Sequence, residues 1–431
     1  MNFKTNVATR ALLLGALAIT AQACGGSEPT DKNAQPSGKV DIFSWWTSGG
    51  EVQALNALID VHEKKYPQTN VENLAEALAE EARTRLEQRM QDGVPPDLFQ
   101  ANIGADQFKW VLFNGVDDSE SKVESLNDIA QANGWMDTFP QAVIDALSYN
   151  GKIYGVPANI HRINSLFYSI DAFAAAGIEP PTTREELITA AQALQAANYT
   201  PICIGSEHWW TLNLLMFENI MPSVGGPDFY TSYWTGQEDP NAAQVSDGLD
   251  FLLELWPYMN QDANALGWTA GIDHMFDATA PCAMTVMGDW AKGYLESKGW
   301  VAGTNFEQIP FPGSNGTFVF TADTFPLPKG APNRPGAVAF LETIGSVDGQ
   351  VAFNKLKGSI PVRRDIDPTL FDATAQQTMD DFANNTLVKA LSGLQPQGSF
   401  ADLGPQVKEM LSTQNKEGVL NVLANDYGVL Q

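Results

Sequence analysis

Two adjacent tryptophans, Trp45 and Trp46, end an apolar run and are followed by Gly49, Gly50 and Glu51. Flat aromatic surface beside a planar acceptor suits a pyranose ring, whose C–H faces are apolar and whose rim carries hydroxyls. The pair has a second reading, in which one ring packs in a core while the other caps a lobe. Glu51 has one too, because Ser48-Gly49-Gly50-Glu51 has the spacing of a capping box. No bond-breaking chemistry is visible. There is no His-Glu-x-x-His, Cys-x-x-Cys or Gly-x-Ser-x-Gly, and the four histidines, at 62, 161, 208 and 274, are too scattered for a metal site. No cofactor is expected. A glycosidase would need only two facing carboxylates. With 51 acidic residues some pair can always be nominated, so an enzyme acting on the same solute stays as an alternative.

The elements that would position such residues alternate along the chain. Residues 39–44 read as a strand and 51–66 as a helix, with an apolar stripe at Val52, Leu55, Leu58 and Ile59 and a stop at Pro67. Residues 71–74 read as a second strand, 80–91 as a charged helix and 95–100 as the opening of a third strand. Asn150-Gly151 marks a hairpin turn, 165–168 a strand, 170–176 a helix closed by Gly177, and Thr183 with Glu186 a helix start of the capping-box type. Residues 284–290 read as a buried strand running into a loop, 317–321 as a strand, and the C-terminal third as mostly amphipathic helix. This alternation argues an α/β fold with a mostly parallel sheet. Ligands of such sheets sit beyond the carboxyl ends of the strands, which is where Trp45 and Trp46 fall.

Lys4 and Arg10 precede the apolar run 11–21, which is too short to span a bilayer and reads as a secretory leader. Ala21-Gln22-Ala23-Cys24 resembles a lipobox, with Ala21 where leucine is usual. We therefore expect a leader over 1–23, lipidation of Cys24 and a flexible tether over 24–38; ordinary cleavage before Cys24 is the alternative. The protein is then exported and lipid-anchored in the cell envelope, touching the membrane only through that lipid. The net charge is −26, and loss of Lys4 and Arg10 with the leader makes it more negative, which argues against nucleic acid or anionic lipid as a partner. The roughly 390 residues beyond the tether exceed what one core usually organises, so two lobes are expected. Cys203 and Cys282 can pair in an oxidising compartment or remain two buried thiols.

Six segments in one order carry a resemblance: SWWTSGGE (44–51), PPDLFQANIG (95–104), YGVPANIHRINSLFY (154–168), MGDWAKGYL (287–295), TADTFPLPKGAP (321–332) and FNKLKGSIPVR (353–363). Together they resemble the extracellular solute-binding proteins of ABC sugar importers, most closely the glucose/mannose-binding branch. The resemblance implies a two-lobed Venus-flytrap fold with the ligand cleft between the lobes. We place the first lobe over 39–155, the second over 156–290, a return to the first over 291–345, and C-terminal helices over 346–431 packing on the second lobe and the cleft. It also implies site roles. Trp45 and Trp46 stack on the sugar, and Glu51 is a nearby polar contact. Gln100 and Asn102 hydrogen-bond hydroxyls, Asp289 takes two hydroxyls at once, and Asp323 adds an acceptor. His161 and Arg162 either touch ligand or link the lobes, and Trp209, Trp210 and Trp268 form an opposite wall, with a core role for at least one of them. Lys357-Gly358-Ser359 closes the cleft. The implied function is high-affinity binding of a monosaccharide, glucose or a similar hexose, by a monomer that delivers it to a permease. A sugar-sensing or surface-binding lipoprotein uncoupled from transport is the alternative.

Overall fold

The computed structural model describes residues 36–426 apart from 48, 76–78, 114 and 396–399. The leader, Cys24, most of the tether and the Ser48 half of the capping box lie outside the described residues. Strand Gly38–Phe43 pairs in parallel with Thr69–Asn73 on one side and Leu98–Phe99 on the other. Helix Gly49–Lys65 makes the crossover and buries Ala54, Leu55 and Leu58, the face that the apolar stripe marks out. A second sheet runs in the order Thr200–Ile202, Cys282–Val286, Ser165–Ser169, Phe306–Pro310. Its first pair is parallel and the other two are antiparallel, so this sheet is mixed rather than mostly parallel. Cys203 and Cys282 form a disulfide beside it.

Each sheet has its own hydrophobic core. The first holds Val40, Ile42, Leu58 and Phe340, and the second Phe167, Phe217, Met284 and Phe306. A third small sheet joins them, in the order Thr386–Lys389, Thr317–Thr321, His161–Arg162. Side chains of a strand alternate in direction, and the central strand uses this to serve both lobes: Phe318 and Phe320 enter the first core, Val319 the second. That is why the segment TFVFT is apolar at successive positions.

The chain recrosses later than the sequence suggests. Ala291, Tyr294, Leu295, Phe306 and Phe311 all belong to the second core, so the return falls at 317–321 rather than 291. Phe353 and Phe382 belong to the first core, which places helices Val347–Lys357 and Ala373–Asn384 there. Among the C-terminal residues described, those that enter the second core begin at about 386, with Val388, Leu403 and Val407. An amphipathic helix reveals which of its faces is buried but not which of two cores buries it.

Candidate functional site

The lobes enclose a cavity of about 350 Å³, within the range of about 300–1,000 Å³ usual for small-molecule sites. The first lobe contributes Trp45, Thr47, Glu51, Arg83, Asn102 and Lys357 to its wall. The joining segments add His161, Thr321 and Asp323, and the second lobe adds Trp209, Trp210, Trp268, Trp290, Asn213 and Glu218. Five tryptophans therefore face the cavity together with a short list of polar groups.

The polar groups form a chain across the lobe junction. Gln100 Nε2 donates to Asp323 Oδ1 at 2.7 Å, while its Oε1 accepts the Trp45 backbone N–H at 3.3 Å. Asn159 donates to Asp323 Oδ2 at 2.8 Å, and His161 Nε2 meets the same oxygen at 2.9 Å. The other ring nitrogen of His161 bonds Asp289 Oδ1, and Asp289 Oδ2 accepts the Arg162 backbone N–H at 2.8 Å. Burial opposes charge on His161, but Asp289 and Asp323 together outweigh it and raise the imidazole above its ordinary value. Burial likewise opposes charge on Asp323, yet Lys357 and His161 hold its carboxyl well below the usual range. Carboxylate, imidazolium and carboxylate thus alternate through the junction.

Lys357 is 2% exposed, sits 2.6 Å from Glu51, and lies over the Trp290 ring. Trp290 in turn meets His161 edge-on, 5.2 Å between centroids. The Arg83 guanidinium stacks 4.4 Å from the Trp45 ring, and its buried Nε has no partner among the described residues. Glu218 lies in a hydrophobic stretch of the wall, where burial pushes its carboxyl up to about 7. Such a surface offers stacking faces and both donors and acceptors, but no nucleophile paired with a base.

The structure brings Trp45, Glu51, Asn102, His161, Trp209, Trp210, Trp268, Asp323 and Lys357 to the cavity. Five other nominated residues do not line it. Trp46 is 1% exposed and packs on Phe353 and Phe325, because the residue after Trp45 turns to the opposite side. Gln100 orients Asp323 and Trp45, and Asp289 bonds His161 and Arg162 through its two oxygens, so both stand behind the cavity wall. Ser359 donates to Asn354 Oδ1 at 2.7 Å in the first-lobe interior. Arg162 pairs with Asp381, which makes it a lobe-linking residue. Sequence reasoning missed Arg83, hidden in a helix that reads only as charged. It also missed Glu218, although a lone acid within Leu-Leu-Met-Phe-Glu-Asn-Ile is a usable signal.

The lobes close on each other through backbone. A Cβ on Gly293 of the second lobe would stand 2.4 Å from Leu356 O and 2.6 Å from Lys357 O of the first. On another rim, Gly104 (φ +88°) faces Gly393, whose carbonyl oxygen would be 2.5 Å from an added Cβ. Two lobes, three crossing segments and a polar, aromatic cavity closed at its rims define a ligand-binding protein of the hinged, two-lobed kind. Residues 46–351 match the profile of the bacterial extracellular solute-binding proteins, and the chain belongs to that family, one of binding proteins rather than enzymes. It is 30% identical to an uncharacterized ABC transporter extracellular-binding protein of Pyrococcus horikoshii, over 96% of this chain and 95% of the relative. It is also 30% identical to a probable sugar-binding periplasmic protein of Rhizobium meliloti, over 90% and 89%. A solved chitin oligosaccharide binding protein shares the fold, with TM-score 0.77 and 20% identity over 91% of this chain and 99% of that one. Among the described residues no helix is long and apolar enough to cross a membrane.

Proposed function

We propose that the protein binds a neutral sugar in the cavity between its lobes and presents it, lobes closed, to the permease of an ABC importer. The observation that carries this reading is the pairing, in one cavity between the lobes, of tryptophan faces with the Asp323–His161 and Glu51–Lys357 clusters. Flat rings suit the C–H faces of a pyranose, and charge-assisted donors and acceptors suit its hydroxyls. The similarity to a probable sugar-binding periplasmic protein supports it. A monosaccharide, and a hexose such as glucose first, is the ligand we propose. A short oligosaccharide is the second reading, favoured by tryptophans on both walls of the cavity. Export, and anchoring by a lipid on Cys24, complete the proposal for a monomeric receptor.

The test is a thermal-melt screen of the purified protein against mono- and disaccharides, with amino acids and polyamines as controls. A ligand at 100 times its dissociation constant stabilises by about 2.7 kcal/mol, which is a readable shift. Stabilisation by one or two hexoses is the expected result. Stabilisation by a disaccharide alone would move the assignment to the oligosaccharide reading, and a shift with controls only would overturn the sugar reading.

A further inference from the structure

Three carboxyl groups line the cavity, and two of them already have strong partners. Glu51 is held by Lys357, and Asp323 accepts from Gln100, Asn159 and His161. The third, Glu218, accepts one bond, from the Leu391 backbone N–H to Oε1 at 2.7 Å, and has no cationic partner among the described residues. A half-buried acid in an apolar wall without a counter-charge is costly, and such groups gather where something binds. The local backbone is shaped to place it. Residues Leu214–Ile220 form a π-helical run, a form that recurs at functional sites. Asn219 Nδ2 donates to Leu214 O at 2.9 Å within it. Phe217 and Ile220 of this run enter the second core, Leu214 lies at its edge against the cavity, and Glu218 faces the cavity.

We propose that Glu218 is a specificity-determining contact, the carboxyl by which the second lobe reads one hydroxyl of the ligand. This rests on the sugar reading of the cavity. With Oε1 fixed by a backbone donor, the remaining oxygen is offered in one direction. A hydroxyl reaches it from one face of the ring and misses it from the other, so the contact discriminates between epimers. Asp289, the acid expected to do this, is engaged behind the cavity, and the task falls to the wall that still has an uncommitted acceptor.

The test is calorimetric titration of wild type and E218A with the best sugar from the screen, its epimers and its single-deoxy analogues. The wild type is expected to lose at least tenfold in affinity for one deoxy analogue. E218A is expected to lose about as much for the parent sugar and to bind parent and that analogue equally, because the contact removed from either side is the same one. Should E218A fail to fold, the near-isosteric E218Q gives the same comparison, with that discrimination weakened and the others intact. A variant that binds every analogue as wild type does, or weakens all by one factor, overturns the assignment and leaves the sugar reading standing. A wild type that binds no sugar removes both, and is recognised before any variant is made.

Discussion

His62 and His161 are both buried, and each holds its proton differently. The Thr343 hydroxyl donates to Ala339 O at 3.0 Å, so His62 Nδ1, 3.0 Å from that hydroxyl, must be a donor. His62 Nε2 then keeps its lone pair, and it has no partner among the described residues. Burial pushes this imidazole down to about 4, whereas His161 between two aspartates is raised. For His62 the unfolded chain binds more protons below about pH 6.5, so stability is lost as pH falls from there toward 4. For His161 the contribution is full below about pH 6.5 and is lost as pH rises through its folded value. Asp323, with its folded value depressed, contributes above about pH 3.9 and loses its contribution below. We therefore expect His62→Gln, which can retain the bond to Thr343, to flatten the decline in melting temperature between pH 6.5 and 4. A decline as steep as the wild type's would assign the acid limb to other groups. At this scale the sequence is half legible. Trp45 and Trp46 are the same residue type in one segment, and only the direction of the chain after Phe43 decides that one faces the cavity and the other a core. Asp289 reads as an acceptor, but nothing in its neighbourhood reveals that His161, 128 positions away, consumes it.

Elements were read more easily, since strand Gly38–Phe43, helix Gly49–Lys65 and the Asn150-Gly151 hairpin all have local causes. The capping box at Thr183 and Glu186 is formed by both of its bonds. The π-helical run was not legible, because its register is set by packing rather than by propensity. Nor was the use of glycine between helices. Helix Trp290–Ser297 of the second lobe crosses the ends of Gly49–Lys65 and Val347–Lys357 of the first, and Gly293 sits where backbones meet. A methyl there cannot be accommodated by rotating a flexible side chain, since the nearest atoms are the carbonyls of Leu356 and Lys357. Gly293→Ala is expected to leave melting without sugar near wild type, yet to weaken sugar binding at least tenfold by penalising the closed form. Small-angle scattering should then find the variant's radius of gyration larger than wild type's at the same sugar concentration. Wild-type affinity and compaction together would show that the rim relaxes and that Gly293 does not gate closure.

At the scale of the molecule, the two lobes are joined by strands that belong to both cores. Phe318 and Phe320 on one side and Val319 on the other tie the stability of each core to the same strand, and the Arg162–Asp381 pair links the segments further. The alternation of strands and helices made two α/β lobes legible, but where the chain recrosses was not, because a crossing strand carries no mark beyond apolar residues at successive positions. This joint gives the disulfide a consequence beyond its own lobe. Cys203 and Cys282 are 79 residues apart, and closing a loop of that length restricts the unfolded chain by up to about 4.5 kcal/mol in the chain-entropy account. If the lobes were independent, reduction would lower the melting of the second alone and calorimetry would resolve two transitions. Because the cores share a strand, we expect the reduced protein to melt in one transition, several degrees lower, with sugar restoring part of the loss by bridging both lobes. Two transitions after reduction, merging when sugar is added, would instead make the ligand rather than the joining sheet the main coupling between the lobes.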